Sequence, residues 1–290
     1  MGFICNFPKN FITESMLRRF VPFLSERCKL PACSFEIISI DEISKFNKDN
    51  PSFSSYFRLA QSGFASFDTY VVGDYLITPC SDGAVLQVRE PIWAWVHDKW
   101  RRIDIVLNPD KRFSPNLFAL MMRAYQYTAI YSNALMMHSA AITFRGKGIL
   151  FCGKPGAGKS TQARLWEQVY GAETINNDQP CIIYDENGSA FVSGSPWSGK
   201  EPCYKNIAVP ISAVVFVEKS KVEQIEPLSH AEAYSLLYLN EYVYPVQTDT
   251  EEMYCNAIAK LVNSVPVYRQ YCTATIHAPR TLYEYLAISQ

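Results

Sequence analysis

Several absences in this 290-residue chain narrow what it does. No apolar run approaches the length of a membrane span, and Phe3-Ile4-Cys5 is too short for the apolar region of a signal peptide. Met1-Gly2 lacks the Ser or Thr that a myristoylation signal needs at Asn6, so no membrane partner is expected. Neither sign of charge is in excess: 27 Lys and Arg balance 28 Asp and Glu, for a formal charge of −1 and a pI near 6.4. The pairs Arg18-Arg19 and Arg101-Arg102 read as solvated faces, and no nucleic-acid partner is expected. C-x-x-C spacing is missing, and the nine cysteines are odd in number. That argues against a disulfide framework or a zinc site and for a reducing cytoplasm. No internal repeat or low-complexity segment occurs. The length suits one large or two modest domains.

What is present centres on Gly153-Lys154-Pro155-Gly156-Ala157-Gly158-Lys159-Ser160-Thr161, which fits G-x-x-x-x-G-K-[ST]. An apolar run, Gly148 to Cys152, precedes it and reads as a buried strand. A helical pattern from Ser160 to about Tyr170 follows, with Ala163, Leu165, Trp166 and Val169 free to face a sheet. Backbone N–H groups of such a loop and the helix N-terminus form an anion site. Lys159 would reach the β- and γ-phosphates of a nucleotide triphosphate, and the Ser160 hydroxyl would ligate Mg²⁺. A bare glycine-rich turn joining strand to helix is the alternative.

Elsewhere, apolar spacing predicts a helix from Asn10 to about Cys28 and a strand over Phe35–Ile40. Asp41 to Ser55 reads as a loop. Runs at Thr69–Thr78, Ala84–Arg89, Ile92–His97 and Arg102–Leu107 predict a meander, turning at Asp82-Gly83. Trp93, Trp95 and Trp100 read as sheet core rather than a binding face. A helix is expected from Ser114-Pro115 to about Met137. A hairpin is expected from Cys181–Asp185 and Ser189–Ser193 about Glu186-Asn187-Gly188. A strand over Ser212–Glu218 is expected to pair with Val222–Ile225. Helices near Ser229–Leu239 and Asp249–Val262, a strand over Val265–Tyr271 and a helix over Arg280–Ile288 complete the pattern. After Met137 the alternation reads as α/β with a mixed sheet.

Phosphoryl transfer also needs a carboxylate, for metal or for the attacking hydroxyl. Asp185 and Glu186 end an apolar run, but Asn187-Gly188 follows at once, so they read as turn residues facing water. Asp178 follows the short strand beyond the loop helix, where a chain returns to the ligand end of a parallel sheet. From residues alone, a site acid and a loop or capping aspartate are equally good readings of it.

The stretch from His138 to Pro180 resembles the nucleotide-binding core of the HPr kinase/phosphorylase family, which has a phosphoenolpyruvate-carboxykinase-like P-loop fold. The matching features are His138 at the head of a strand, the loop itself, a helix ending at Tyr170-Gly171, and Asp178 where the family carries paired aspartates. The resemblance implies an α/β P-loop domain with a mixed sheet over residues 135–290. A β-rich α+β part over residues 1–134 would precede it and serve the acceptor site or docking. It also implies an ATP-dependent kinase in which Lys159 and the loop amides cradle phosphate, Ser160 and Asp178 hold Mg²⁺, and Asp178 or His138 takes the acceptor's proton. The acceptor would be a hydroxyl, a serine of a peptide or small protein, and a homo-oligomer stays open.

Asn177 stands where the family has its first acid, so it can orient a hydroxyl or water but cannot accept a proton. This weakens the phosphorylase half-reaction most. Gly194-Ser195-Pro196-Trp197-Ser198-Gly199-Lys200 stands where the family signature is not found; Lys200 could meet a phosphate, or the stretch could be a surface turn. A nucleotide-binding module without transfer, and a hydrolase in which Glu186 polarises water, are the other readings.

Overall fold

A computed structural model describes residues 3–6, 14–24, 33–38, 70–72, 75–80, 83–88, 92–97, 101–106, 115–199, 201–240 and 250–289. The chain divides into two units. One comprises Met1–Leu17, Ser25–Ser132 and Val243–Met253; the other comprises Arg18–Leu24, Asn133–Tyr242 and Tyr254–Gln290.

The first unit carries a seven-stranded sheet. Its strands are β1 (Phe3–Asn6), β2 (Cys33–Ile38), β3 (Tyr70–Val72), β4 (Tyr75–Cys80), β5 (Gly83–Val88), β6 (Ile92–His97) and β7 (Arg102–Val106). In the order β1-β2-β7-β6-β5-β4-β3, the first three are parallel and the rest form an antiparallel meander. The run expected as one strand over Thr69–Thr78 is therefore two, closed by the pair Val72↔Tyr75. Trp93 and Trp95 fall in β6, opposite Val106 and Asp104; Trp100 and the expected loop over Asp41–Ser55 lie outside the described residues.

The first helix, α1 (Glu14–Phe20), gives way to a 3-10 turn over Val21–Phe23, and Leu24 is extended. The helix expected to reach Cys28 stops there because Pro22 has no N–H to give back along the helix. Helix α2 covers Pro115–Tyr131. Its expected end at Met137 is also too late: the apolar run continues, but Leu135–Met136 form strand β8, paired with β12 (Cys181–Tyr184). An apolar run alone does not separate a buried helix end from a buried strand.

The second unit is a mixed α/β assembly on a nine-stranded mixed sheet. Besides β8 and β12 it contains β9 (Ala140–Phe144), β10 (Lys147–Cys152), β11 (Glu173–Asn176), β13 (Ala190–Ser193), β14 (Ala208–Lys219), β15 (Gln224–Pro227) and β16 (Val267–Cys272). Its helices are α3 (Lys159–Tyr170), α4 (His230–Asn240) and α6 (His277–Ser289), with α5 (Thr250–Ser264) crossing between the two units' segments. The sheet's main path is β11-β9-β10-β14-β13-β12-β8, and β16 pairs with β14 and β15. The Val222–Ile225 run thus pairs with β16 and not with Ser212–Glu218, because β16 already fills the free edge of β14 in parallel register.

Strand β14 organises this unit. Its first residues pair antiparallel with β13, and its buried Ala213–Val217 run parallel to both β10 and β16. A strand covered on both faces reads as continuous apolar sequence, as here. On one face Ile142, Phe151, Val215 and Val217 join Ala163 and Trp166 of α3 and Leu282 of α6 in a single core. Gly171, at φ 64°, ends α3 by donating its N–H to the Glu167 carbonyl.

Candidate functional site

Strand directions bring four chain segments to one edge of the second unit. β10 ends in the glycine loop, and β9 is antiparallel to it, so His138-Ser139, just before β9, lie at the same edge. β11 is antiparallel to β9 in turn, and its end delivers Asn177-Asp178 there. β14, parallel to β10, ends at Glu218-Lys219 beside the loop. Ligand sites of open α/β sheets gather at carboxyl ends of strands in this way.

The loop itself is built around close approach. Gly153 has φ 136°, and a side chain there would put a Cβ 2.9 Å from the Val217 carbonyl oxygen. Only glycine lets the chain pass that near β14. Lys154, Pro155 and Gly156 are exposed, and Ala157 donates its N–H to the Lys154 carbonyl at 3.0 Å. Gly158 caps α3 without a side chain to cover the helix's first N–H groups. Lys159 is buried at 8% exposure, and its Nζ donates to the Gly153 carbonyl at 2.9 Å. Ser160 is exposed on the first turn of α3 and Thr161 is half-buried.

Across the edge, His138 Nε2 lies 3.9 Å from Asp178 Oδ1, too long for a hydrogen bond but close enough for charge to matter. Backbone bonds fix the two stretches together: Ser139 N–H donates to the Asp178 carbonyl at 3.0 Å, and Met137 N–H to Pro180 at 3.1 Å. Burial raises the Asp178 carboxyl above its ordinary range, opposed by His138 and Lys159. Burial also lowers the His138 imidazole, helped by the Lys159 charge and opposed by Asp178. Burial thus disfavours the charged form of both side chains.

Three residues that sequence reasoning missed hold this arrangement. Asn176, fully buried, accepts from the Asp178 and Gln179 N–H groups at 2.9 and 2.8 Å through Oδ1. Its Nδ2 donates to the Ser195 carbonyl at 3.2 Å. Ser195, 1% exposed, donates its hydroxyl to the Gln179 carbonyl at 2.6 Å. Asn240, the last residue of α4, accepts from Gly153 N–H at 3.1 Å and donates to the His138 carbonyl at 3.0 Å. Glu218 closes an apolar strand beside the loop strand, a pattern legible in Val214-Val215-Phe216-Val217-Glu218. Its carboxylate lies 3.3 Å from Arg269 Nε.

The Gly194–Gly199 stretch works behind Asp178. Trp197 is 5% exposed, stands edge-on to Phe20 at 6.0 Å, and accepts Gln179 N–H at 3.2 Å. Gly199 has φ 71°, and an added Cβ would lie 3.2 Å from Asp178 Cβ. The surface-turn alternative therefore does not describe it; Lys200 lies outside the described residues. Asp185 and Glu186 are exposed in the β12–β13 turn, where Asp185 Oδ1 accepts from Asn187 and Ser189 N–H groups at 3.0 and 2.8 Å. The Asn177 side-chain oxygen is buried without a hydrogen-bond partner.

Among the described residues five cysteines are free thiols, and no three His, Cys, Asp or Glu side chains cluster as a metal cage. Cys152, directly before the loop, is fully buried, and burial pushes its thiol up to about 12. It is core, as is Cys181. No described helix is long and apolar enough to cross a membrane.

A cleft of about 560 Å³ opens beside the loop. Its walls are Gly153–Ala157, the end of β14 from Phe216 to Lys219, and Leu236, Leu239 and Asn240 of α4, with His138 at one margin.

Fold and site together define a mixed α/β protein with a glycine loop, a buried lysine and a His–Asp pair at one sheet edge. The chain belongs to the family described as "ScmC: SynChlorMet cassette protein ScmC", whose profile matches residues 110–277, more than half of it. No curated protein matches it. Among solved structures, the Hpr(Ser) kinase/phosphatase from Coxiella burnetii aligns at 11% identity with a TM-score of 0.29, over 53% of this chain and 94% of that one.

Proposed function

We propose that the chain is an ATP-dependent kinase that transfers the γ-phosphoryl group to a hydroxyl, a serine of a peptide or small protein. One observation carries the reading: a buried lysine on a glycine loop shares a sheet edge with a His–Asp pair 3.9 Å apart. The loop amides and Lys159 bind and orient the triphosphate, the lysine exchanging its Gly153 carbonyl for phosphate oxygens. The acceptor oxygen attacks the γ-phosphorus, the bond to the β–γ bridging oxygen breaks, and the nucleoside diphosphate leaves with that electron pair. The acceptor's proton passes to Asp178 or to His138 Nε2. Asn240 keeps the loop and the His138 backbone in fixed relation during the exchange.

The hydroxyl of Ser160 and the carboxylate of Asp178 are hard oxygen donors of the kind Mg²⁺ takes, one or two from protein and the rest from phosphate and water. Held there, Mg²⁺ would neutralise phosphate charge. A nucleotide-binding module without transfer is the second reading, favoured by Asn177, which supplies no second carboxylate beside Asp178.

Transfer of labelled γ-phosphate from ATP to a serine peptide library tests the proposal. Asp178→Asn should lower transfer by more than the ~10²–10⁴-fold of a base acting alone, since metal positioning is lost too. Asp185→Asn and Glu186→Gln, exposed in their hairpin, should change it little. Full transfer by Asp178→Asn together with loss in Glu186→Gln overturns the mechanism. Tight ATP binding by the wild type with no transfer selects the binding module.

A further inference from the structure

Helix α4 has apolar residues on two faces. Ala233 and Leu237, four apart, are buried at 1% and 0% exposure and belong to the core. Leu236 and Leu239, three apart on another face, line the cleft, and Leu239 is 73% exposed. Asn240 follows on that same face, with its amide used at both ends, to Gly153 N–H and to the His138 carbonyl. The apolar face is thus pinned directly against the glycine loop, and both belong to one cleft of about 560 Å³.

We propose that Leu236 and Leu239 form the seat of a nucleobase, so that the donor at this site is a nucleoside triphosphate and not an inorganic polyphosphate. This rests on the loop binding phosphate. A phosphate chain alone fills only the loop end of the cleft and has no apolar surface to bury. A flat base and its ribose, joined to phosphates on the loop, cover the exposed leucine face that the core leaves open. The volume lies within the range of small-molecule sites, and the lining is mostly apolar with a few polar groups, among them Glu218 and Lys219. Asn240 joins the two subsites and fixes the distance between base wall and phosphate loop.

Calorimetric titrations of Mg²⁺–ATP and of Mg²⁺–tripolyphosphate into the wild type, Leu239→Ala and Leu236→Ala test this. Leu239 is mostly solvent-exposed, so its substitution spares the fold. ATP should bind the wild type more tightly than tripolyphosphate. Leu239→Ala should weaken ATP by about tenfold through lost apolar contact alone. Leu236→Ala should weaken it less, and neither should change tripolyphosphate affinity. Unchanged ATP affinity in both variants overturns the base seat while leaving the phosphate loop intact. Equal weakening of both ligands overturns it as well, since the leucines would then act on the loop. If the wild type binds neither ligand, the phosphate reading fails first and this inference with it.

Discussion

Asn176→Ala tests how Asp178 is presented, because the Asn176 amide makes four bonds that a methyl group cannot. It accepts from the Asp178 and Gln179 N–H groups at 2.9 and 2.8 Å and donates to the Ser195 carbonyl at 3.2 Å and hydroxyl at 3.3 Å, all from a fully buried position. At a net ~1 kcal/mol per bond, with the two contacts to Ser195 counted as one, the loss is about 3 kcal/mol, with more if the Gln179 and Ser195 groups stay dry and unpaired. That is roughly a hundredfold in the ratio of folded to unfolded protein. Asn176→Asp retains both accepted bonds and loses only the two donated to Ser195, at the cost of a carboxylate beside Asp178. It should fall between wild type and alanine. Denaturant unfolding, followed by tryptophan fluorescence and by circular dichroism, reads the effect as a shift in midpoint at constant slope. An unfolding free energy within about 0.5 kcal/mol of wild type for Asn176→Ala would refute the view that this turn is held by the asparagine.

Two further predictions concern the same edge. Gly199→Ala imposes a left-handed conformation costing ~1–2 kcal/mol and drives a Cβ to 3.2 Å from Asp178 Cβ. Phosphoryl transfer should drop while ATP affinity, measured by calorimetry, stays near wild type. For pH, the sign follows from His138, whose imidazole is lowered in the folded protein by burial and by Lys159. The unfolded chain binds a proton there first, so stability declines as pH falls below the ordinary value of 6.5, towards the folded value. His138→Gln should flatten that part of the stability–pH curve in denaturant unfolding; an unaltered slope between pH about 6.5 and 5 would contradict the direction assigned.

Much of the second unit was legible because its signals are local. The apolar run before Gly153, the positive-φ glycines, the Gly171 stop and the Glu186-Asn187-Gly188 turn each act over a few residues, and the structure has the strand, helix and hairpin they imply. The residues alone left Asp178 open between site acid and loop aspartate, and only the family resemblance set it and His138 beside the loop. Partner choice was not legible, since pairing is decided by packing between distant segments: β15 meets β16 and not β14. Nor did apolar content reveal that Leu135–Met136 leave the helix for a strand. Asn176, Ser195 and Asn240 were missed for another reason. Short polar side chains read as turn or cap residues, and only burial shows that they bond across the site.

Binding of Mg²⁺–ATP to the wild type and to Lys159→Ala, followed by calorimetric titration, tests most directly the claim that the glycine loop holds a nucleotide triphosphate. One site per chain is expected for the wild type. Removing the ammonium that now bonds the Gly153 carbonyl should weaken ATP by about tenfold or more, as expected for a lost charge-assisted contact, with circular dichroism unchanged. Equal affinity in the two proteins, or no binding by the folded wild type, would contradict the account.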